Sequence, residues 1–381
     1  MKTVHIGIVG SGFAARLHAE AYAHVSGVCP VLHAVASLDP DVGAFAKAYG
    51  IANVYPSLEA LLKDPAVEIV DIVTPPHLHA SMVMEALAAG RHVLCEKPIT
   101  GAFDTALSPE AMYEHVVAEM DDIGRVAASS GKLFCYAENF IYAPAIEKTV
   151  EFLAARRSKI LYMRGEEGHC GSHALHAAAW AHSGGGALIR QGCHPLAAVL
   201  YLKQKEASIR GERIVPQSVV ADMGQTLACL SEAEKQHIQA RPIDVEDFAT
   251  LLLTFSDGTK ASVAAGDMLL GGIRNRLEVF TNDGVYESNI SPNDHLRTYH
   301  PHGAGLESVY MAEKVETKVG WQRIMLNDII TRGYAGELQD FLRCAAYGGT
   351  PESGFPLAYE TARILYAAYW SAASGARIRL T

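Results

Sequence analysis

Apolar residues arrive in short runs through the first third of the chain, and each run ends at turn residues. Thr3 to Val9 is one such run, closing on glycines. Val31 to Ala36, Glu68 to Val73, Arg91 to Cys95 and Lys132 to Tyr136 repeat the form. Continuous apolar stretches of this length predict strands buried on both faces. Between them, Phe13 to Ser26, Val42 to Tyr49 and His79 to Ala89 carry apolar positions at helical spacing. Strand and helix alternating in this way predict a doubly wound parallel sheet.

The pattern changes near Ala137. From Val245 onward the runs DFATLLLTF, KASVAAG and RLEVFT alternate, with Asp257-Gly258 and Asp283-Gly284 as hairpin turns. This predicts a large, mostly antiparallel sheet, open on one face. Gly336 to Gly375 returns to helix, with Pro351 and Pro356 at a break between two helices. The fold class expected is therefore α/β, in two domains. Residues 1–137 form the parallel-sheet domain and residues 138–381 an α+β domain, whose last helices are free to pack back on the first. An exposed sheet face of this size is a natural contact for a homodimer or homotetramer.

Composition narrows the function classes. The 381 residues hold 32 Lys and Arg against 42 Asp and Glu, a net charge of −10, and 49% are apolar. That apolar share supports a large core. The acidic balance argues against a nucleic-acid or anionic-membrane surface, and no stretch of about 20 apolar residues spans a bilayer. The N-terminus turns glycine-rich after one strand, unlike a signal peptide. The seven cysteines are scattered through apolar runs, as reduced thiols are, and a cytoplasmic location is expected.

Gly10-Ser11-Gly12-Phe13-Ala14-Ala15 fits G-x-G-x-x-A directly between a strand and a helix. Gly10 permits the tight turn, Gly12 lets backbone approach a pyrophosphate, and the small Ala15 lets helix pack on sheet. The helix N-terminus then offers free N–H groups to the phosphates. At the end of the second strand, Ser37 can serve either a ribose hydroxyl or a 2′-phosphate, whereas Asp39 repels the phosphate. No cation lies between Ser37 and Ala46, and Arg16 is the one that reaches round. NAD is therefore favoured over NADP.

Asp71-Ile72-Val73-Thr74-Pro75-Pro76-His77-Leu78-His79 and Gly90 to Pro98, with its Glu96-Lys97-Pro98 ending, complete a set of motifs. Together with Gly184-Gly185-Gly186, Gly192-Cys193-His194 and Ala367 to Ser371, they resemble the glucose–fructose oxidoreductase/inositol dehydrogenase (Gfo/Idh/MocA) family. The resemblance implies an N-terminal Rossmann domain and NAD(P)-dependent oxidation of a carbinol carbon in a sugar, polyol or sugar acid. It also implies that Thr74, Pro75, Pro76, His77, His79 and Glu96 border the cofactor, and that Lys97 and His194 handle the hydroxyl proton. Relatives that recycle a tightly bound cofactor, or a non-catalytic nucleotide sensor, are the alternatives.

Lys97 stands at the C-terminal end of a parallel strand, where partial burial is expected to lower its pKa toward the working range. The family places an Asp one helical turn before the His, but here that residue is Arg190, and Ala197 replaces a second Asp. Arg190 shares a helix face with His194, where its charge would depress Lys97 further. It would suit an anionic substrate group, or a fixed carboxylate such as Glu166, Glu167 or Glu138. The polar segment Arg164 to His176 is expected to loop over the crevice, with His169 and His173 as sugar contacts. Asn139 and Tyr142 are further candidates for the substrate pocket. No metal is expected, because Cys170, His173 and His176 match no closed tetrahedral spacing.

Overall fold

In the computed structural model the described residues are 1–172, 175–291, 296–304, 307, 317–324 and 327–380. The chain begins β1 (Lys2–Val9), α1 (Phe13–Tyr22), β2 (Val28–Ala36), α2 (Val42–Ala48), β3 (Asn53–Tyr55), α3 (Leu58–Leu62), β4 (Ile69–Ile72), α4 (His79–Ala88), β5 (His92–Glu96), α5 (Pro109–Ser130) and β6 (Phe134–Ala137). The six strands pair in parallel in the order β3-β2-β1-β4-β5-β6. The order reverses between β1 and β4, which opens a crevice at the carboxyl ends of these strands. All four residues of β4 are buried, as a strand covered on both faces requires.

The second half continues with α6 (Pro144–Arg156), β7 (Ile160–Gly168), α7 (Trp180–Ser183), α8 (Cys193–Arg210), β8 (Pro216–Gly224), β9 (Phe248–Phe255), β10 (Lys260–Gly266), β11 (Arg274–Thr281) and β12 (Val285–Asn289). A hairpin of β13 (Leu296–His300) and β14 (Gly320–Ile324) follows, then α9 (Asp328–Thr331), α10 (Tyr334–Tyr347), α11 (Phe355–Ser374) and β15 (Ile378–Arg379). The large sheet has the order β12-β11-β7-β10-β9-β8-β15. Its pairs are antiparallel except β7 with β10, which run parallel. Along β9 the residues Ala249, Leu251, Leu253 and Phe255 are buried under the helices, while Thr250, Leu252 and Thr254 are half-buried on the other face.

Two sequence expectations about the elements need correction. The first helix stops at Tyr22 rather than Ser26, because the Ser26 N–H donates to Gln339 Oε1 of α10 and the chain turns there. The segment from Arg164 expected to loop over the crevice is strand as far as Gly168, since β10 and β11 pair with β7 over that stretch. Glu166 and Glu167 are thus strand residues and not part of a loop. The short β3 and α3, and the whole of β8, also lacked a pattern strong enough to be read.

The C-terminal helices do return to the first sheet. Leu338, Phe341 and Leu342 of α10 bury themselves with Ile6, Ile8, Ala15 and Leu94. Gly333, at φ +94°, lets the chain enter α10 against β6's exit, because a Cβ there would stand 2.0 Å from the Asn139 carbonyl oxygen. None of the seven cysteines pairs with another. Among the described residues, no helix is long and apolar enough to cross a membrane.

Candidate active site

A cleft of about 1090 Å³ runs along the carboxyl ends of the first sheet and under the second domain. At one end is the glycine turn. Gly10 has φ +115°, and a Cβ on it would lie 2.6 Å from the Val73 carbonyl oxygen, so no other residue fits. A Cβ at Gly12 would meet nothing, which leaves open space before the first turn of α1. That turn has no side-chain cap, so its N–H groups remain available to a pyrophosphate. Phe13 and Ala14 line the cleft, whereas Ala15 is fully buried and packs helix on sheet.

The tip of β2 fits an adenosine ribose. The hydroxyls of Ser11 and Ser37 are 2.9 Å apart, and Ser11 also donates to Asp39 at 3.3 Å. Asp39 accepts the Asp41 N–H at 2.9 Å, which fixes its carboxylate at the rim. Arg16 does not line the cleft, and the lining residues at this end, Ser37, Leu38, Asp39, Pro56 and Ser57, carry no cation.

Thr74, Pro75 and Pro76 line the middle of the cleft. His77 and His79 do not. His77 turns toward the rings of Phe103 and His182, at 6.0 and 6.4 Å. His79 is buried behind the wall, its Nδ1 2.7 Å from the Pro98 carbonyl oxygen and its Nε2 2.7 Å from that of Thr74. It therefore clamps two cleft-forming loops together and touches nothing in the cleft itself. The Lys97–Pro98 peptide between them is cis.

Beneath Lys97 lies a buried polar chain. Tyr22 donates to Asp71 at 2.9 Å, His18 Nδ1 lies 3.0 Å from both Asp71 oxygens, and His18 Nε2 lies 3.4 Å from Glu96. Burial favours neutral Glu96, but the hydrogen bond and charge of His18, with the charges of Lys97 and His194, outweigh it and hold the carboxyl at about 2. A carboxyl held below its unfolded value of about 4.3 stabilises the fold above that pH and ceases to do so as pH falls toward 2. Denaturant melts should therefore show Glu96→Gln less stable than the parent at neutral pH, with the gap closing below about pH 4. A gap that stays constant across this range would rule out the ion pair as its source.

Lys97 Nζ donates to the Arg190 carbonyl oxygen at 2.7 Å. Burial works against its ammonium, yet interactions with Cys193 first, and then with the carboxylates of Glu96, Glu167 and Glu138, prevail and raise its pKa above the ordinary lysine range. This reverses the expectation of a lowered value. Arg190 explains the difference, because only its carbonyl meets Lys97. Its guanidinium is turned away to pair with Asp267, which also accepts from Gln191 Nε2. The partner is thus none of Glu166, Glu167 or Glu138. Its charge is matched by Asp267, although Arg190 lines the cleft and its Nε has no hydrogen-bond partner among the described residues.

The chain enters α8 through a π-helical turn, Leu188–Gly192, and this presents His194 to the cleft. His194 Nδ1 donates to Glu138 Oε1 at 2.7 Å, and its ring stacks on Phe140 at 4.4 Å. Glu138 is fully buried directly after β6. Cys193 joins these two in the one grouping among the described residues with metal-ligand geometry, the three ligand atoms lying within 4.8 Å of one another. Burial pushes the Cys193 thiol far up, so it offers an S–H to the Arg190 carbonyl rather than a thiolate.

His169 lines the cleft, its Nδ1 accepting the Gly171 N–H. His173 lies outside the described residues. Asn139 and Tyr142 are not pocket residues. Asn139 donates to the Arg332 carbonyl at 2.7 Å, and Tyr142 donates to Asp340 at 2.7 Å while accepting the Ser353 N–H. Both tie β6's exit to the C-terminal helices, a connection that local sequence does not reveal. Glu167, Gln191 and Arg332 line the cleft, and Asp267 braces it, though sequence reading assigned none of them these places. The available signal was an acid just past a strand end, as at Glu138 and Asp267.

Comparison with known proteins agrees with this geometry. The family model described as an oxidoreductase family with an NAD-binding Rossmann fold matches residues 4–123, and the GFO/IDH/MocA C-terminal domain matches residues 158–287. Levoglucosan dehydrogenase of Pseudarthrobacter phenanthrenivorans is 25% identical over 96% of this chain and 95% of its own length. GenD2 from gentamicin A biosynthesis, solved in complex with NAD, superposes with a TM-score of 0.80 at 24% identity, covering 100% of this chain and 97% of its own. Myo-inositol 2-dehydrogenase from Lactobacillus plantarum gives 0.75 at 20% identity, covering 100% of both chains. With the glycine turn, Lys97 and His194 disposed around one cleft and both domain models matched in order, the chain belongs to the Gfo/Idh/MocA family of oxidoreductases.

Proposed function

We propose that the protein is an NAD-dependent dehydrogenase that oxidises a carbinol carbon of a sugar or polyol. The observation that carries this reading is the pairing of Lys97 and His194 at one end of the cleft, each held by a partner at 2.7 Å. Gly10, Gly12, Ser37 and Asp39 would hold the adenosine and pyrophosphate, and Thr74 to Pro76 would guide the remainder toward Lys97. The bound nicotinamide supplies a hydride acceptor. Lys97, kept as an ammonium, donates a hydrogen bond to the reacting hydroxyl and steadies the oxygen as it becomes more acidic. Glu138 accepts from His194 Nδ1, which leaves Nε2 unprotonated and able to take the hydroxyl proton. The low exposure of the wall limits competition from water.

NADH formation from NAD over a panel of sugars and cyclitols tests this. Binding of NAD without reduction on any of them would overturn it. The rim also predicts cofactor preference. Turnover with NAD should exceed that with NADP by about tenfold or more in kcat/KM, and Asp39→Ala should narrow the ratio by relieving repulsion of the 2′-phosphate. An unchanged ratio in the variant would show that Asp39 does not select the cofactor.

A further inference from the structure

We propose that Glu167 receives an ammonium group of the substrate, so that the sugar or cyclitol oxidised is an amino sugar or aminocyclitol. This rests on the dehydrogenase reading for the reaction, but the binding assignment is independent of turnover.

Side chains alternate along β7. Arg164 and Glu166 face away from the cleft and pair with Glu278 and Arg274 on the neighbouring strand. Glu167 faces the other way, lines the cleft beside Lys97 and His194, and is only 6% exposed. Its carboxyl has no hydrogen-bond partner among the described residues, and Oε2 is entirely enclosed. The acids around it are different. Glu138 has His194 on Oε1, though its Oε2 is unpartnered, Asp267 has Arg190 and Gln191, and Asp71 has His18 and Tyr22. Glu337 is also unpartnered but does not line the cleft.

A buried carboxylate without a donor is costly, and a site that retains one is complete only when a ligand brings the donor. Lys97 does not fill this role: its Nζ donates to the Arg190 carbonyl and makes no hydrogen bond to Glu167. Charge then selects the kind of donor. Asp39, Glu96 and Glu167 line the cleft against Lys97, Arg190 and Arg332, which balance them, and Glu138 and Asp267 behind the wall tip the total negative. A bound dinucleotide's pyrophosphate deepens that negative potential. An ammonium answers both the missing donor and the net charge, through a charge-assisted hydrogen bond stronger than a hydroxyl can form.

Calorimetry on the NADH-loaded protein tests the assignment, with glucosamine and kanosamine as probes and glucose, N-acetylglucosamine and glucuronate as hydroxyl, uncharged and anionic counterparts. At least one amine should bind about tenfold or more tighter than glucose, and in Glu167→Gln that ratio should fall to about threefold or less. Glu167→Asp, which keeps the charge, should retain part of it. No preference for either amine in the parent, or a preference undiminished in Glu167→Gln, would overturn the proposal. Amine preference without NADH formation would leave Glu167 standing and sink the dehydrogenase reading. NADH formation from glucose or glucuronate with no amine preference would do the reverse.

Discussion

Lys97→Met should lower kcat/KM for sugar oxidation by about 10³-fold, with NAD affinity changed only a few-fold. The ammonium is the one hydrogen-bond donor of fixed positive charge that the first domain places at the reacting end of the cleft, and the methionine keeps its length without its charge. Loss of a pre-aligned donor to a developing oxyanion commonly costs about 10²–10³ in turnover, and proton handling adds to this. The nucleotide, by contrast, rests on the glycine turn and β2's tip, at the far end of the same cleft. Steady-state rates with NAD fluorescence titration separate the two effects. A loss below tenfold would remove Lys97 from the chemistry. The sign of its pKa shift adds a second expectation. Because its surroundings raise it, the ammonium persists through alkaline conditions, and the pH profile should show no fall from its deprotonation below about pH 10. A descending limb near neutrality that vanishes in Lys97→Arg would contradict this.

The second large effect is expected at His194 and its brace. His194→Asn removes the proton acceptor, and kcat should fall by about 10²–10⁴. Glu138→Gln leaves the ring in place but puts an amide opposite Nδ1, which allows the other tautomer and moves the proton to Nε2, facing substrate. A comparable loss is expected, since a wrongly held imidazole is nearly as poor a base as none, and about 10²-fold or more would be read in kcat. Glu138 is fully enclosed, so thermal melts must accompany the assay to separate misfolding from mis-set tautomer. Glu138→Asp retains the charge at shorter reach and should recover part of the rate. Full activity in Glu138→Gln would show that His194 acts without this partner.

Much of the nucleotide end is written locally. Gly10, Gly12 and Ala15 act within a strand, a turn and a helix that follow one another directly. Asp39 follows its own strand, so no distant contact is needed to place it. The substrate end is different. Arg190 was expected beside Lys97 as a charge, because helix periodicity puts it on the face of His194. The guanidinium instead meets Asp267, which follows β10, a strand more than seventy residues along the chain. That contact gives the guanidinium a fixed carboxylate partner, so only the Arg190 carbonyl meets Lys97. Asn139 and Tyr142 lie close to Glu138 in sequence, yet Asn139 bonds Arg332 just before α10 and Tyr142 bonds α10 and the loop before α11, while Glu138 alone of the three meets His194.

The amino-acid sequence by itself determined the parallel sheet and the glycine turn, and it placed Ser37 and Lys97 directly after strand ends. Each depends on backbone conformation or on side chains at strand ends, which neighbours in sequence dictate. The tertiary structure alone decided the protonation of Lys97, the brace on His194, the neutralisation of Arg190 and the unpartnered carboxyl of Glu167. These are electrostatic properties of side chains drawn from β5, β6, β7, α8 and the end of β10. Their charges act through space at a few ångströms, and only the folded chain sets those distances.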